Sequence, residues 1–316
     1  MISRRYLRIK VFQVLYAYFQ SVDKNEKTIE KEMFLSIHRM HDLYLLLLTI
    51  GQELIHQANF KIEEAKKKKL PTAEDLNPNT KFIDNQILAR LGSDAKLNQY
   101  IKDKKLYWAA DQELMLKFFN FLRETPTYTE YMATRETDFE ADKRFVLDLY
   151  KKVIPEFDLL ISEIQDKSIF WGYDEMDFIL SMVIKTIKKM EEGDTHVKLE
   201  KVYRDEEEDI AFVKSLLHET IVHDDENSEL IADKTKNWDV ERIAMIDILL
   251  MKMALTELLY FKSIPVKVTL NEYIELSKWY STPKSKVFVN GVLDKLVADL
   301  KAKGTLKKIG KGLLEN

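Results

Sequence analysis

The stretch Pro265-Val266-Lys267-Val268-Thr269-Leu270-Asn271-Glu272, followed after a short gap by Lys284-Ser285-Lys286-Val287-Phe288-Val289-Asn290-Gly291-Val292-Leu293-Asp294-Lys295, decides the fold. Alternation over Val266–Leu270 alone would fit a strand. The continuation through Asn271–Trp279, with Val268, Ile274 and Leu276 as its apolar positions, instead predicts a helix. Thr282-Pro283 ends it, because a proline ring has no amide hydrogen to donate and crowds the turn before it. Beyond that break Val289, Val292, Leu293, Leu296 and Leu300 return at three- and four-residue intervals, which predicts a final helix. Upstream, Ile243, Ile246, Leu249, Leu250, Met253 and Leu258 form a broad stripe that Ser263-Ile264-Pro265 interrupts.

Working outward, composition favours the same class. Only 8 Gly and 6 Pro among 316 residues leave few turn formers for a strand-rich fold, so an all-α chain is expected. The length suits one large or two ordinary domains. The absence of cysteine excludes disulfides, thiolate metal sites and cysteine nucleophiles, and fits a reducing, cytoplasmic setting. The longest apolar run, Leu43–Ile50, falls well short of the roughly 20 residues that span a bilayer, and Lys10 and Gln13 interrupt any leader, so a soluble chain with no membrane association is expected.

A first helix is predicted over Ser3–Gln20, with Ser3 as N-cap, and a second over Thr28–Lys68, stopped by Pro71. Shorter helices are expected at Phe82–Leu91, Asp94–Tyr100, Asp111–Arg123 and Thr127–Thr134, then longer ones at Asp138–Gln165 and Tyr173–Glu191. Phe145-Val146, Leu149, Trp171 and Asp174 are echoed 67 positions later by Phe212-Val213, Leu216, Trp238 and Glu241. Either a duplicated helical unit or chance alignment of apolar helices accounts for the echo.

Both ends carry a family likeness. Arg4-Arg5-x-x-Arg8 leads into Gln13-Val14-Leu15-Tyr16. Near the other end stand Arg242-Ile243, Leu255-Thr256-Glu257-Leu258, Ile264-Pro265, Asn271-Glu272, Glu275-Leu276 and Phe288–Lys295. In that order they resemble the NusB family of transcription antitermination factors. The resemblance implies stacked helical bundles and an RNA-binding role, on single-stranded boxA-type RNA of nascent ribosomal transcripts, with the ribosomal protein NusE and the RNA polymerase antitermination complex as partners. The chain departs from the pattern in its middle, where about 175 residues replace a much shorter stretch. The expected organisation is an RNA-binding helix at 1–24, a helical insertion at 25–200, a NusB-like bundle at 201–304 and a basic flexible tail at 305–316.

A net charge of −4 hides local asymmetry: residues 1–10 hold Arg4, Arg5, Arg8 and Lys10 and no acid. Arginines in a helix's first turn sit against exposed amides that favour negative charge, so an incoming phosphate would resolve the mismatch. Tyr16 fits either core packing or an RNA-facing hydroxyl. Trp279-Tyr280-Ser281-Thr282-Pro283-Lys284-Ser285-Lys286 joins aromatics and lysines at a helix junction, with one aromatic expected inside and one toward RNA, and Ser285 a candidate cap. The RNA candidates are therefore Arg4, Arg5, Arg8, Tyr16, Tyr280, Lys284, Lys286 and Phe288, the last as a base platform. Acidic Glu206, Glu207, Asp209 and Glu241 are the candidates for the protein partner.

The six histidines, including the His41-Asp42 pair, assemble no nucleophile or metal signature, and no Gly-rich phosphate loop is present, so neither an enzyme nor a cofactor is expected. The competing expectation is a helical interaction scaffold or an RNA-modification accessory.

Overall fold

The structure is a computed structural model that describes residues 1–108, 111–136, 138–236 and 244–313, leaving aside the side chains of Tyr173, Asp174 and Lys311. Among the described residues all regular structure is helical. In chain order the α-helices are α1 (Arg4–Gln20), α2 (Glu26–Leu48), α3 (Ile50–Lys66), α4 (Ala73–Leu76), α5 (Gln86–Ser93), α6 (Ala95–Lys104), α7 (Gln112–Glu124) and α8 (Pro126–Met132). They continue as α9 (Phe139–Asp148), α10 (Asp158–Lys167), α11 (Tyr173–Lys188), α12 (Glu206–Val222), α13 (Asp224–Thr235), α14 (Met245–Tyr260), α15 (Val266–Tyr280) and α16 (Ser285–Ala302). No helix of the described residues is long and apolar enough to cross a membrane.

The chain forms two compact units. A terminal unit takes Ile2–Ile37 and Tyr203–Asn316, and a central unit takes Met1 and His38–Val202. The division therefore falls inside α2, not at residue 24, and the first helix and the C-terminal bundle share one unit.

Within the terminal unit α14 is apolar nearly all round, with Leu249, Leu250, Met251, Met253, Ala254, Leu255 and Leu258 buried. A helix of that composition must be covered on every side, and α1, α12, α13, α15 and α16 all pack against it. Residues 306–309, part of the stretch expected as a flexible tail, turn back onto this body. The Lys308 ammonium donates to the carbonyls of Glu257 (3.3 Å) and Phe261 (3.0 Å), and the Ile309 amide donates to Lys262 (3.0 Å). A lysine at the unsatisfied carbonyls of a helix C-terminus is favourable both as a donor and as a charge.

In the central unit two expected long helices are interrupted. The Thr28–Lys68 pattern breaks at Thr49, whose hydroxyl donates to the Leu46 carbonyl at 2.7 Å while the Trp108 indole N–H reaches the same carbonyl and the Thr49 oxygen at 3.3 and 3.2 Å. Gly51 follows because the Leu88 side chain comes so close that a Cβ there would lie 2.5 Å from it. The Asp138–Gln165 pattern breaks through a widened turn at Leu149–Val153 and a tight one at Ile154–Glu156 before α10 begins. Pro155 supplies the reason, having no N–H for the preceding turn and a ring that obstructs it. Of the internal echo, Phe145, Val146, Leu149, Phe212, Val213 and Leu216 are all buried. Trp238 and Glu241 lie outside the described residues.

Glu200 gathers three cations: the Met1 ammonium at 2.9 Å, Lys189 at 2.6 Å and Lys185 at 3.3 Å. Burial works to raise its carboxyl, but these hydrogen bonds prevail and hold it down to about 2 from 4.5. The stability it contributes is complete above about 4.5 and disappears as pH falls toward about 2. Glu200→Gln is expected to destabilise the central unit by about 1–2 kcal/mol at pH 7, after screening at the half-exposed lysines, and by little at pH 2. Urea titrations of the two proteins at pH 7 and pH 2 check this; equal losses at both would sink it.

Candidate nucleic-acid interface

The first two turns of α1 meet four acidic side chains of their own unit. Ser3 occupies the N-cap position without a side-chain cap bond, and no acid of α1 offsets its amino end. Arg4 donates to Asp209 at 3.0 Å and lies 3.3 Å from Glu208. Arg5 makes a two-pronged pair with Glu272, both contacts 2.9 Å. Arg8 does the same with Glu257 at 2.7 and 2.8 Å. The electrostatic mismatch expected to call for a phosphate is thus answered by carboxylates of α12, α15 and α14.

These pairs sort the candidates. Arg8 is 3% exposed and Glu257 0%, with the Thr269 hydroxyl at 2.8 Å and the Tyr273 hydroxyl at 3.3 Å also donating to that carboxylate. Burial works against the Arg8 charge, but Glu257 raises its proton affinity well above the ordinary arginine value. Arg8 therefore joins α1 to α14 and α15 and does not face solvent. Arg4 and Arg5 keep more than a third of their side chains exposed. Neighbouring carboxylates take part of their hydrogen-bonding capacity, but guanidinium edges remain for a further acceptor.

The helix junction adds aromatics and lysines. Trp279 is 46% exposed, with Arg5 5.8 Å from its ring centroid and Tyr6 6.4 Å away. Tyr280 packs inward, its ring 5.2 Å from Phe12. Phe288, expected as a base platform, is 8% exposed and belongs to the core of α16. The exposed aromatic of this junction is therefore Trp279. Tyr16, which the sequence leaves open to core packing or an RNA-facing hydroxyl, is 38% exposed and 6.4 Å from Phe12.

Lys284 and Lys286 are exposed on either side of buried Ser285. The Ser285 hydroxyl donates to Asp247 at 2.7 Å and accepts from the Thr282 amide at 3.2 Å, tying the junction to α14. The Glu275 carboxyl is lowered chiefly by the hydrogen bond from Lys278, with the charges of Arg5 and Lys286 adding to the effect.

Among the partner candidates, Glu206 and Glu207 are exposed in the first turn of α12, where acids also suit the helix's amino end. Asp209 is buried and accepts from Arg4 and from the Arg204 amide at 3.0 Å. Its role is to anchor α1 and the start of α12. Glu241 lies outside the described residues.

Residues 176–298 match the NusB family. The chain is similar to the transcription antitermination protein NusB of Salinibacter ruber, 47% identical over 103 residues that make up 33% of this chain and 64% of that protein. Against the NusB protein of Chloroherpeton thalassium it is 41% identical over 104 residues, 33% of this chain and 49% of that one. Against the NusB protein of Bacillus subtilis it is 38% identical over 96 residues, 30% of this chain and 73% of that one. The chain thus spans about half to two thirds of the length of the first two of these relatives. No solved structure matches it.

Proposed function

The chain belongs to the NusB family, and we propose that it is an RNA-binding transcription antitermination factor whose terminal unit holds single-stranded boxA-type RNA of nascent ribosomal transcripts. On this proposal it works with the ribosomal protein NusE inside the RNA polymerase antitermination complex. The observation that carries the reading is half-exposed Arg5 beside exposed Trp279, with half-exposed Arg4 next to it in α1 and exposed Lys284 and Lys286 following Trp279 at the helix junction, on a chain of net negative charge. Cations beside an open aromatic ring suit unpaired nucleotides, whose phosphates are held by charge and whose bases stack. Arg8, Tyr280 and Phe288 set the positions of these groups from below, and Tyr16 extends the surface along α1. Glu206 and Glu207 supply the acidic contact to NusE, with Glu241 retained on the grounds of the sequence pattern.

The test is a titration of boxA-type and scrambled RNA, with and without NusE, at several salt concentrations. Lys284→Ala with Lys286→Ala is expected to weaken binding across sequences and to flatten the logarithmic salt slope by about 1.4, or roughly 0.7 per lost phosphate contact. Trp279→Ala should cost about 1–3 kcal/mol with little change of slope. Glu206→Lys with Glu207→Lys should reduce only the gain that NusE brings. Wild-type affinity and slope in both RNA-face variants, with intact helical content, would discard this interface. If the native chain binds no RNA, the helical scaffold becomes the better description.

A further inference from the structure

We propose that the central unit contains a binding pocket for a small ligand that carries an anionic group on a planar ring. A cavity of about 700 Å³ lies among α7, α8, α9 and the widened turn at Leu149–Val153, and among the residues lining it are Lys81, Phe121, Tyr131, Arg144 and Phe145. That size falls among small-molecule sites, roughly 300–1,000 Å³. Glu130, Asp148 and Glu156 also line it, but the buried ammonium at its polar end has no carboxylate in contact with it. Lys81 is only 6% exposed, yet its ammonium meets the Thr134 hydroxyl at 2.7 Å and the Tyr131 ring at 4.6 Å, and no carboxylate of the described residues lies within 4 Å. Buried lysines are ordinarily paired with an acid. Arg144 lines the same cavity and likewise has no carboxylate partner among the described residues, whereas Lys152 is already paired with Asp148 at 2.9 Å.

The apolar wall suits a ring. Tyr131 and Phe145 stack with centroids 4.2 Å apart and planes 20° apart, and Phe121 adds a third aromatic. Flat ligands gain from such surfaces beyond the area they bury. The ligand's anion would supply the counter-charge to Lys81 and Arg144, while its ring lies on the aromatic wall. Nucleoside monophosphates and aromatic carboxylates share this chemistry. Nothing in this assignment depends on RNA binding by the terminal unit.

Calorimetric titration of the full chain with adenosine monophosphate and with indole-3-acetate distinguishes the two sources, and adenosine, indole and inorganic phosphate separate ring from charge. At least one of the two anionic probes is expected to bind at micromolar to millimolar concentration, at least tenfold more tightly than its uncharged counterpart and than phosphate alone. Arg144→Ala, at an exposed position, and Lys81→Met should each weaken that binding at least tenfold. The pocket assignment is overturned if neither anionic probe binds, if adenosine or indole binds as tightly as its anionic counterpart, or if Arg144→Ala binds like the native protein.

Discussion

Glu257→Ala is expected to destabilise the terminal unit by about 3–5 kcal/mol, because it leaves the Arg8 guanidinium buried without its counter-charge. The two side chains form parallel bonds of 2.7 and 2.8 Å at 3% and 0% exposure, so water cannot take the place of the lost carboxylate. The Thr269 and Tyr273 hydroxyls lose an acceptor at the same time. Arg8→Met alone should cost a comparable amount by stranding the carboxylate. Arg8→Met combined with Glu257→Gln should restore more than half of the loss, since the amide oxygen still accepts from one hydroxyl, the amide NH2 can donate to the other, and no net charge remains inside. Urea unfolding followed by tryptophan fluorescence and helical signal measures all three. A loss below about 1 kcal/mol for Glu257→Ala, or a double variant no better than the singles, would remove this account. The pair also holds α1 against α14 and α15 and so sets where Arg4, Arg5 and Trp279, the groups of the proposed RNA face, present themselves.

The second large effect is expected in the central unit, where Asn85→Ala should cost roughly 2–4 kcal/mol. The Asn85 side chain is fully buried and uses every direction it has. Its oxygen accepts from the Ile87 and Leu88 amides at 3.0 Å each, capping α5, and its nitrogen donates to the Tyr131 hydroxyl at 3.1 Å and the Asp142 carbonyl at 3.2 Å. Alanine would expose two helix amides to an apolar interior and take one donor from the Asp142 carbonyl. The Asp142 carboxylate, which accepts from Tyr131 at 2.6 Å and from the Gln86 amide at 2.9 Å, would be left to hold the start of α5. Amide exchange in the full chain reads the result: faster exchange at Ile87 and Leu88, with α14 unaffected, is the expected pattern. Equal loss of protection in α14 would show that the residue is not a local cap.

Much of the terminal unit was legible in the sequence. The spacing of apolar residues from Val289 to Leu300 and the breaks at Pro265 and Pro283 depend on neighbours within a few positions, and α15 and α16 appear where those signals put them. The arginine triad was visible too, but not its partners. One hint was present: Glu257 stands in the stretch Met253–Leu259, whose other residues are apolar apart from Thr256, and an acid so placed needs a buried cation. Which cation it was could not be read, because Arg8 lies 249 positions away.

By itself the sequence determined an all-helical chain, the positions of its C-terminal helices and its membership of a family, since helical periodicity, proline breaks and motif order are local or linear properties. Only the tertiary structure decided that α2 ends at Thr49 under the Trp108 indole, that Arg8 is interior while Arg4 and Arg5 stay at the surface, and that Trp279 is the exposed aromatic in place of Phe288. Helical spacing says which residues share a face. Whether that face meets water, a carboxylate or another helix is fixed by segments far away in the chain, whose approach is set by packing and charge pairing.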